Sequence, residues 1–560
     1  MNRLHVPFAI AGLLTLPTMS TAQVLTPEQE RSIAEVFEDL DDPGSPGASV
    51  AVIRDGRVVF SAGYGSAQIE YGIPVEPATI FHVASVSKQF TAMALLLLEA
   101  DGELSLDDDI RDHMPDVPDM GGVITARHLL QHTSGVRDQW ELLAMAGWRL
   151  DDVITKAHVR RLLRNQRELN FEPGAEYLYS NMGYSLAADL VEAVSGMSFA
   201  DFARERIFEP LGMADTHVHD DHEMVVPNRA YSYAASDDGY RKRVLSYANH
   251  GATSLFTTAE DLTKWLDNFR TMQVGSREVR RSMTTRAVLN DGERVGYALG
   301  VGIGTYKEQP VVEHGGADAG FRSQAMWFPG ERVGIAVLSN LASASPGGRA
   351  RRVADIVLGL PADDEVTPDT EGEADDEVAG VEVPADILAS YEGRFRTPMI
   401  SLSFEVRDGA LWLTTPEETV LTARGESEFT FEDVTVRFHR EGTTTDSLTA
   451  TQGDLRLAGV RMEQLTLDDP AEYVGTYYSP EIETLYEIRE DDDGLIVHHL
   501  RHGELPIVIG DEADLFTGGP FFLQELRFTR GEGARVDGFR LTGGRVRNLR
   551  FVRLESPLPG

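Results

Sequence analysis

A serine and a lysine three residues apart, Ser85 and Lys88, stand in Phe81-His82-Val83-Ala84-Ser85-Val86-Ser87-Lys88-Gln89-Phe90-Thr91-Ala92, where an apolar helix begins. Residues at i and i+3 share one face of a helix, so the Lys88 amine can reach the Ser85 hydroxyl. A serine hydroxyl is a weak nucleophile until a neighbouring base takes its proton. Ser-x-x-Lys therefore supplies a nucleophile and a candidate base in four residues. Alone, the pair equally fits a solvated helix start. The run Phe90 to Leu98, apolar nearly all round, instead places this helix in a large core. A lysine at the start of a buried helix needs a partner or a task.

Two further segments carry compatible chemistry. Tyr179-Ser180-Asn181 follows Phe171-Glu172-Pro173-Gly174 and precedes a helix, and His314-Gly315-Gly316 follows the strand-like Val311-Val312-Glu313. Acyl transfer needs a nucleophile, a proton shuttle and donors for the developing oxyanion. Tyr179 holds its proton at neutral pH unless a cation stands beside it. It thus suits proton delivery to a leaving group, and the residues leave open whether Lys88 or Tyr179 is the base.

With these three motifs in this order, the chain resembles the serine β-lactamase and penicillin-binding superfamily. The nearest branch looks like class C β-lactamases, D,D-carboxypeptidases and D-aminopeptidases. The resemblance covers about Thr26 to Gly359 and is supported by Arg127 to Gly135 and Gly251 to Leu262. It implies Ser85, Lys88 and Tyr179 as catalytic residues, with Asn181, His314, Gly316 and Ala317 on the substrate side. By the family pattern, the backbone N–H groups of Ser85 and Ala317 form the oxyanion hole. Asn181 is expected to bond Lys88 or the substrate amide. His314 stands where lactamases usually carry lysine, so its charge depends on pH. The implied activity is hydrolysis of D-residue peptides or amides through an acyl-enzyme. An esterase or β-lactamase of the same superfamily is the rival, and an inactive binding protein is the alternative of another class.

The elements that must position these residues form a mixed α/β domain. Thr26-Pro27-Glu28-Gln29 starts a helix expected to run to about Asp41. Ala48–Ile53 and Val58–Phe60 flank Asp55-Gly56, a tight hairpin. Helices fit Thr125–Gln131, Gly183–Val194, Thr258–Phe269 and Gly347–Leu358, and strands fit Gln324–Phe328 and Val333–Ser339.

Pro361 to Val378 holds nine Asp or Glu residues and reads as a solvated linker. Beyond it, short strands recur with a weak repeat. Tyr391 to Phe395 matches Tyr473 to Tyr477, Asp408 to Leu411 matches Asp493 to Ile496, and Arg437 to Arg440 matches Arg527 to Arg530. The offsets are 82, 85 and 90 residues. Two copies of one small antiparallel β-barrel are expected. The organisation is thus a signal segment over 1–22, a hydrolase domain over 23–360, a linker over 361–385, and barrels over 386–467 and 468–560. Gly510 to Gly519 is a loop expected to reach the active site and limit substrate size, as related enzymes suggest.

At 560 residues the chain exceeds one core. Arg3, the apolar Val6 to Leu16 and Ser20-Thr21-Ala22 resemble an export signal, which implies a periplasmic or secreted protein. No transmembrane segment is expected after its cleavage. The chain has no cysteine, which excludes disulfides, zinc-thiolate sites and thiol nucleophiles. A net charge of −39 argues against nucleic-acid partners and anionic membrane surfaces. The substrate is expected to be a small peptide, amide or ester, with no cofactor and with self-association open. His217, His219, Asp220, Asp221 and His222 have the types of metal ligands but lie in a polar stretch, and no metal is assigned to them. His128 and His132 read as helix histidines, and His498, His499 and His502 as surface residues.

Overall fold

The computed structural model describes residues 25–361, apart from 237. It also describes 383–555, apart from 398–400, 416–418, 432–433, 442–443, 453–454, 463–464, 466, 468, 493 and 511. The expected signal segment and nearly all of the acidic linker lie outside the described residues.

A six-stranded antiparallel sheet organises the first domain. Its strands are β1 (Ala48–Arg54), β2 (Arg57–Tyr64), β3 (Gly302–Tyr306), β4 (Gln309–Asp318), β5 (Phe321–Phe328) and β6 (Val333–Ser339). The spatial order β3-β4-β5-β6-β1-β2 joins the first hairpin of the domain to its last strands, with Ala48 opposite Ser339. Every residue of β6 is buried because helices cover both faces, which explains its unbroken apolar run. One face packs on α1 (Pro27–Glu35) and on α6 (Pro346–Leu358). The other packs on the helical body, which contains α2 (Lys88–Asp101), α3 (Gln139–Met145), α4 (Asn181–Ser195) and α5 (Ala259–Thr271).

The Asp55-Gly56 hairpin forms with both residues at positive φ (51° and 81°), as its tight turn requires. The first helix is shorter than expected. It stops at Glu35, where Val36 N–H bonds back to Ile33, and a separate 3₁₀ turn covers Glu38–Leu40. That break lets Phe37 turn inward and stack on Tyr64 at 5.0 Å.

The second half is two β-modules. The first is a nine-stranded antiparallel sheet, nearly closed, with its own core around Tyr391, Phe404 and Phe438. The second is a closed eight-stranded barrel from Gly475–Ser479 to Val546–Arg553. Both modules are antiparallel, and the repeated segments fall on or beside their strands. Asp408-Gly409 lies in the turn between two paired strands, Gly494 begins the strand that pairs with Asp491, and Phe438 and Phe528 are buried in their modules.

The second barrel shares one continuous core with the helical body. Tyr486 OH donates to Met145 O at 2.9 Å, and His502 Nε2 donates to Ala144 O at 2.6 Å. His499 is buried against Gly147, where an added Cβ would fall 2.1 Å from the imidazole. His499 and His502 are therefore interface residues, contrary to the surface placement expected; a β-rich sequence gives no sign of which face will be docked. Arg137, fully buried, bonds Glu481 Oε2 at 2.8 Å and the backbone oxygens of Arg547 and Asn548 at 3.2 and 3.3 Å.

Removing one partner of a buried ion pair leaves the other uncompensated. Arg137→Ala is expected to lower unfolding free energy by about 3–5 kcal/mol in a denaturant titration. A loss below about 1 kcal/mol would show that apolar contact alone holds the barrel.

Candidate active site

Ser85 does not lie on the long helix. It sits in a 3₁₀ turn, Ala84–Ser87, that feeds α2 at Lys88. In a 3₁₀ turn residues i and i+3 eclipse, which aligns the two side chains better than an α-helix would. Lys88 Nζ is 3.1 Å from Ser85 Oγ. The turn is strained: Ala84 has φ 47°, a conformation disfavoured for a residue with a Cβ. Ser87 clamps it by donating to Ala84 O at 2.6 Å and accepting from Leu255 N at 3.0 Å.

Lys88 has no solvent exposure, whereas Ser85 is partly open. The Lys88 amine lies 2.8 Å from two acceptors, Asn181 Oδ1 and Ala252 O. A neutral amine has two N–H donors and one lone pair. Spending both donors on these oxygens leaves the lone pair for the Ser85 O–H. Electrostatics favours this form, because burial pushes Lys88 well below the ordinary lysine range. Asp138 and Asp318 work against burial, and Arg545 works with it.

Tyr179 adjoins both residues, with Lys88 Nζ 4.8 Å from its ring centroid. Burial first, and then neighbouring Tyr177, push its hydroxyl above the ordinary tyrosine range, while a hydrogen bond with Ser85 works the other way. The two shifts run in opposite senses: burial favours the uncharged amine at Lys88 and the protonated phenol at Tyr179.

Asn181 opens α4, earlier than the Gly183 start expected, because Ser180 caps the helix by accepting from Gly183 N at 3.3 Å. The Asn181 amide is oriented by Asp138, which accepts from Asn181 N at 2.6 Å and from Nδ2 at 2.9 Å. Asp138 also caps its own helix α3, accepting from Trp140 N at 2.9 Å. Burial works to raise the Asp138 carboxyl, yet the Arg545 charge, Glu141 and these N–H groups hold it below the carboxylate range. Burial and the Asp138 charge instead push Glu141 well above that range.

Strand β4 supplies the third wall. Beyond Glu313 it outruns β3, so one edge of His314 to Asp318 has no neighbouring strand and faces the catalytic turn. Gly316 permits the approach. A Cβ there would fall 2.4 Å from Val83 O and 3.1 Å from Ser85 N. Ala317 follows at this open edge, exposed. His314 Nδ1 donates to Gly315 O at 2.6 Å, which leaves Nε2 to accept from Tyr297 OH at 2.9 Å. Burial is the main cause that brings its pKa down to about 4, which favours the neutral imidazole at physiological pH.

All seven expected site residues thus converge. Four further groups were not foreseen: Tyr297, Asp138, the Ala252 carbonyl and Arg545. His132 adjoins the site as a packing residue. Its ring lies 4.1 Å from Tyr179, and its Nδ1 accepts from Ser180 N at 3.1 Å. His128 caps its own short helix through Thr125. His217 and His219 stack on Phe256. The expected loop does not supply the barrel's contribution. Among the described residues of Gly510–Gly519, Thr517 bonds Arg394 and Glu512 pairs with Arg396, both on the first β-module. The hairpin Gly543-Gly544-Arg545-Val546 reaches the site instead, with the Arg545 guanidinium 5.7 Å from the Tyr179 ring.

The beta-lactamase sequence family matches residues 33–358, the sheet and helical body that carry every one of these side chains except Arg545. The chain belongs to the beta-lactamase family. Among its relatives, the D-aminopeptidase of Gluconobacter oxydans (strain 621H) is 31% identical over 321 residues, 57% of this chain and 60% of that protein. The D-aminopeptidase of Brucella anthropi is 27% identical over 445 residues, 78% of this chain and 80% of the relative, so the likeness extends into the β-modules. The solved structure of the octameric penicillin-binding protein homologue from Pyrococcus abyssi superposes with a TM-score of 0.56 at 24% identity, covering 77% of this chain and 99% of that one. In this family member the third motif carries a neutral histidine.

Two outcomes follow from this geometry. Gly316→Val is expected to lower the acylation rate at least about 100-fold by displacing the catalytic turn, read by single-turnover kinetics. His314→Gln is expected to keep the shape of the pH–rate profile from pH 5 to 9, because His314 is already neutral there. A lost inflection near pH 6.5 would show that the imidazole titrates in that range.

Proposed function

We propose that this chain is a serine hydrolase that cleaves amide bonds of D-residue-containing peptides or amides through an acyl-enzyme. The observation that carries the reading is the 3.1 Å Ser85–Lys88 contact, with the amine buried and its other two partners both acceptors. Ser85 Oγ attacks the substrate carbonyl carbon while its proton passes to Lys88 Nζ. The carbonyl oxygen, now negative, lies toward the N–H groups of Ser85 and Ala317. Collapse breaks the C–N bond. Tyr179 gives its proton to the departing amine and regains one from the Lys88 ammonium. Water then attacks the acyl-Ser85 ester, its proton returning through the same pair, and the free acid leaves.

Two considerations support D-residue amides over the alternatives. The Gluconobacter relative, matched over 57% of this chain, and the Brucella anthropi relative, matched over 78%, are both named D-aminopeptidases. A neutral His314 also offers an acidic β-lactam no ion pair. An esterase remains the second reading, since acyl transfer from an ester uses the same residues. We further read the amino-terminal segment as an export signal, which places the enzyme in the periplasm or outside the cell.

A substrate panel on purified protein tests the reading. D-alanine amide is expected to be turned over faster than its L-enantiomer and faster than short-chain nitrophenyl esters; the reverse order would favour the esterase. Ser85→Ala is expected to abolish turnover and to form no fluorophosphonate adduct by intact mass. Because the base must be neutral, kcat/KM is expected to fall as pH drops through the lowered pKa of Lys88, and to show no such fall at the ordinary lysine value.

A further inference from the structure

The second barrel reaches the catalytic machinery through Arg545, whose carbonyl accepts from Asp138 N at 3.4 Å and whose side chain is charged. Arg545 occupies the two-residue tip of a hairpin whose Gly543 pairs with Val546. The tip is built for close approach. Gly544 takes φ +54°, and a Cβ on Gly543 would fall 2.6 Å from the Phe522 backbone. The Arg545 carbonyl is held by Asn170 Nδ2 at 2.8 Å, and Asn170 Oδ1 accepts from Arg547 N at 2.8 Å. With the backbone fixed, the guanidinium reaches Asp138 Oδ1 at 3.5 Å and Glu141 Oε1 at 2.8 Å.

Asp138 is wholly buried and grips both the amide nitrogen and the side chain of Asn181. An uncompensated carboxylate there would be costly. It would also draw a proton onto Lys88, whose charged form the Asp138 carboxylate favours. We propose that Arg545 is a positioning residue of the hydrolase. It keeps Asp138 ionised as the anchor of Asn181 and cancels its pull on Lys88, so the hydrolase domain is incomplete without this barrel hairpin. The groups that face Lys88 from the surrounding elements are Ser85, Asn181, Asp138, Asp318, Tyr179, Tyr184, His132, His314 and Arg545. Among them, Arg545 is the only residue from outside the hydrolase domain. This inference rests on Ser85 being the acylated nucleophile, not on the identity of the acyl donor.

The test uses the full chain and a fluorophosphonate probe, with the Ser85 labelling rate followed against pH by intact mass. Arg545→Met is expected to slow labelling at pH 7 at least about tenfold and to move the acid limb about one pH unit upward, the sign required when a cation near Lys88 is lost. Arg545→Lys restores most of the rate and returns the limb. Arg547→Met removes a neighbouring arginine of the same hairpin, which pairs with Glu176 at 2.9 Å, and is expected to match the wild type. If Arg545→Met does not fold, Arg545→Gln gives the same uncharged comparison. An unmoved limb in the uncharged variant overturns the proposal. So does an equal shift in Arg547→Met, which would mean docking alone matters. A wild-type protein not labelled at Ser85 rejects the nucleophile instead. In that case the Lys88 Nζ resonance of ¹⁵N-lysine-labelled protein decides the inference, which requires it to titrate at higher pH without Arg545.

Discussion

A primary amine sealed from water is the constraint around which this site is arranged. Lys88 has lost its hydration entirely, so its protonated form is disfavoured and its neutral form needs two acceptors in fixed directions. Asn181 Oδ1 and Ala252 O are those acceptors. Each is itself held: Asn181 by Asp138, and Ala252 by the segment whose next residue but two, Leu255, bonds the Ser87 hydroxyl. The strained turn at Ala84 follows from the same demand, because a 3₁₀ turn entering a buried helix is what brings the Ser85 hydroxyl onto the remaining lone pair.

Polar and aromatic groups divide the work around this amine. Tyr179, Tyr184, Tyr297 and His132 pack ring against ring, with centroids 4.1–5.1 Å apart where His132 meets the three tyrosines. They exclude water and keep the tyrosine hydroxyls protonated. His314, taken into the same box through Tyr297, is neutral for the same reason. Low polarity around the site therefore acts on all three kinds of group in one sense, disfavouring the charged amine, the phenolates and the charged imidazole.

Much of this was legible in the chain because the chemistry is carried by short motifs. Ser85 and Lys88, Tyr179 and Asn181, and His314 to Ala317 each announce themselves by residue type and spacing, and the sheet follows from apolar runs such as Val333–Ser339. The rest was not local. Asp138 looks like any helix cap until α4 brings a second helix start onto the same carboxylate. Arg545 is one arginine among several in a strand-rich region, and it lies 404 residues from its partner Glu141. The Gly510–Gly519 loop was expected there only because related enzymes suggest such a loop. A two-glycine tip reaches further because it has no side chains to hold it off. Only the Gly543-Gly544 pair hinted at that approach.

The repeated β-modules have met different fates. The first keeps a private core, while the interior of its twin runs without a break into the helices beneath the nucleophile. Two shells that carry one sequence repeat are thus tied to the catalytic body in different degrees. Redrawing the first shell's interior would leave the packing of the helical core in place. Its twin can travel only together with the helices it has grown into.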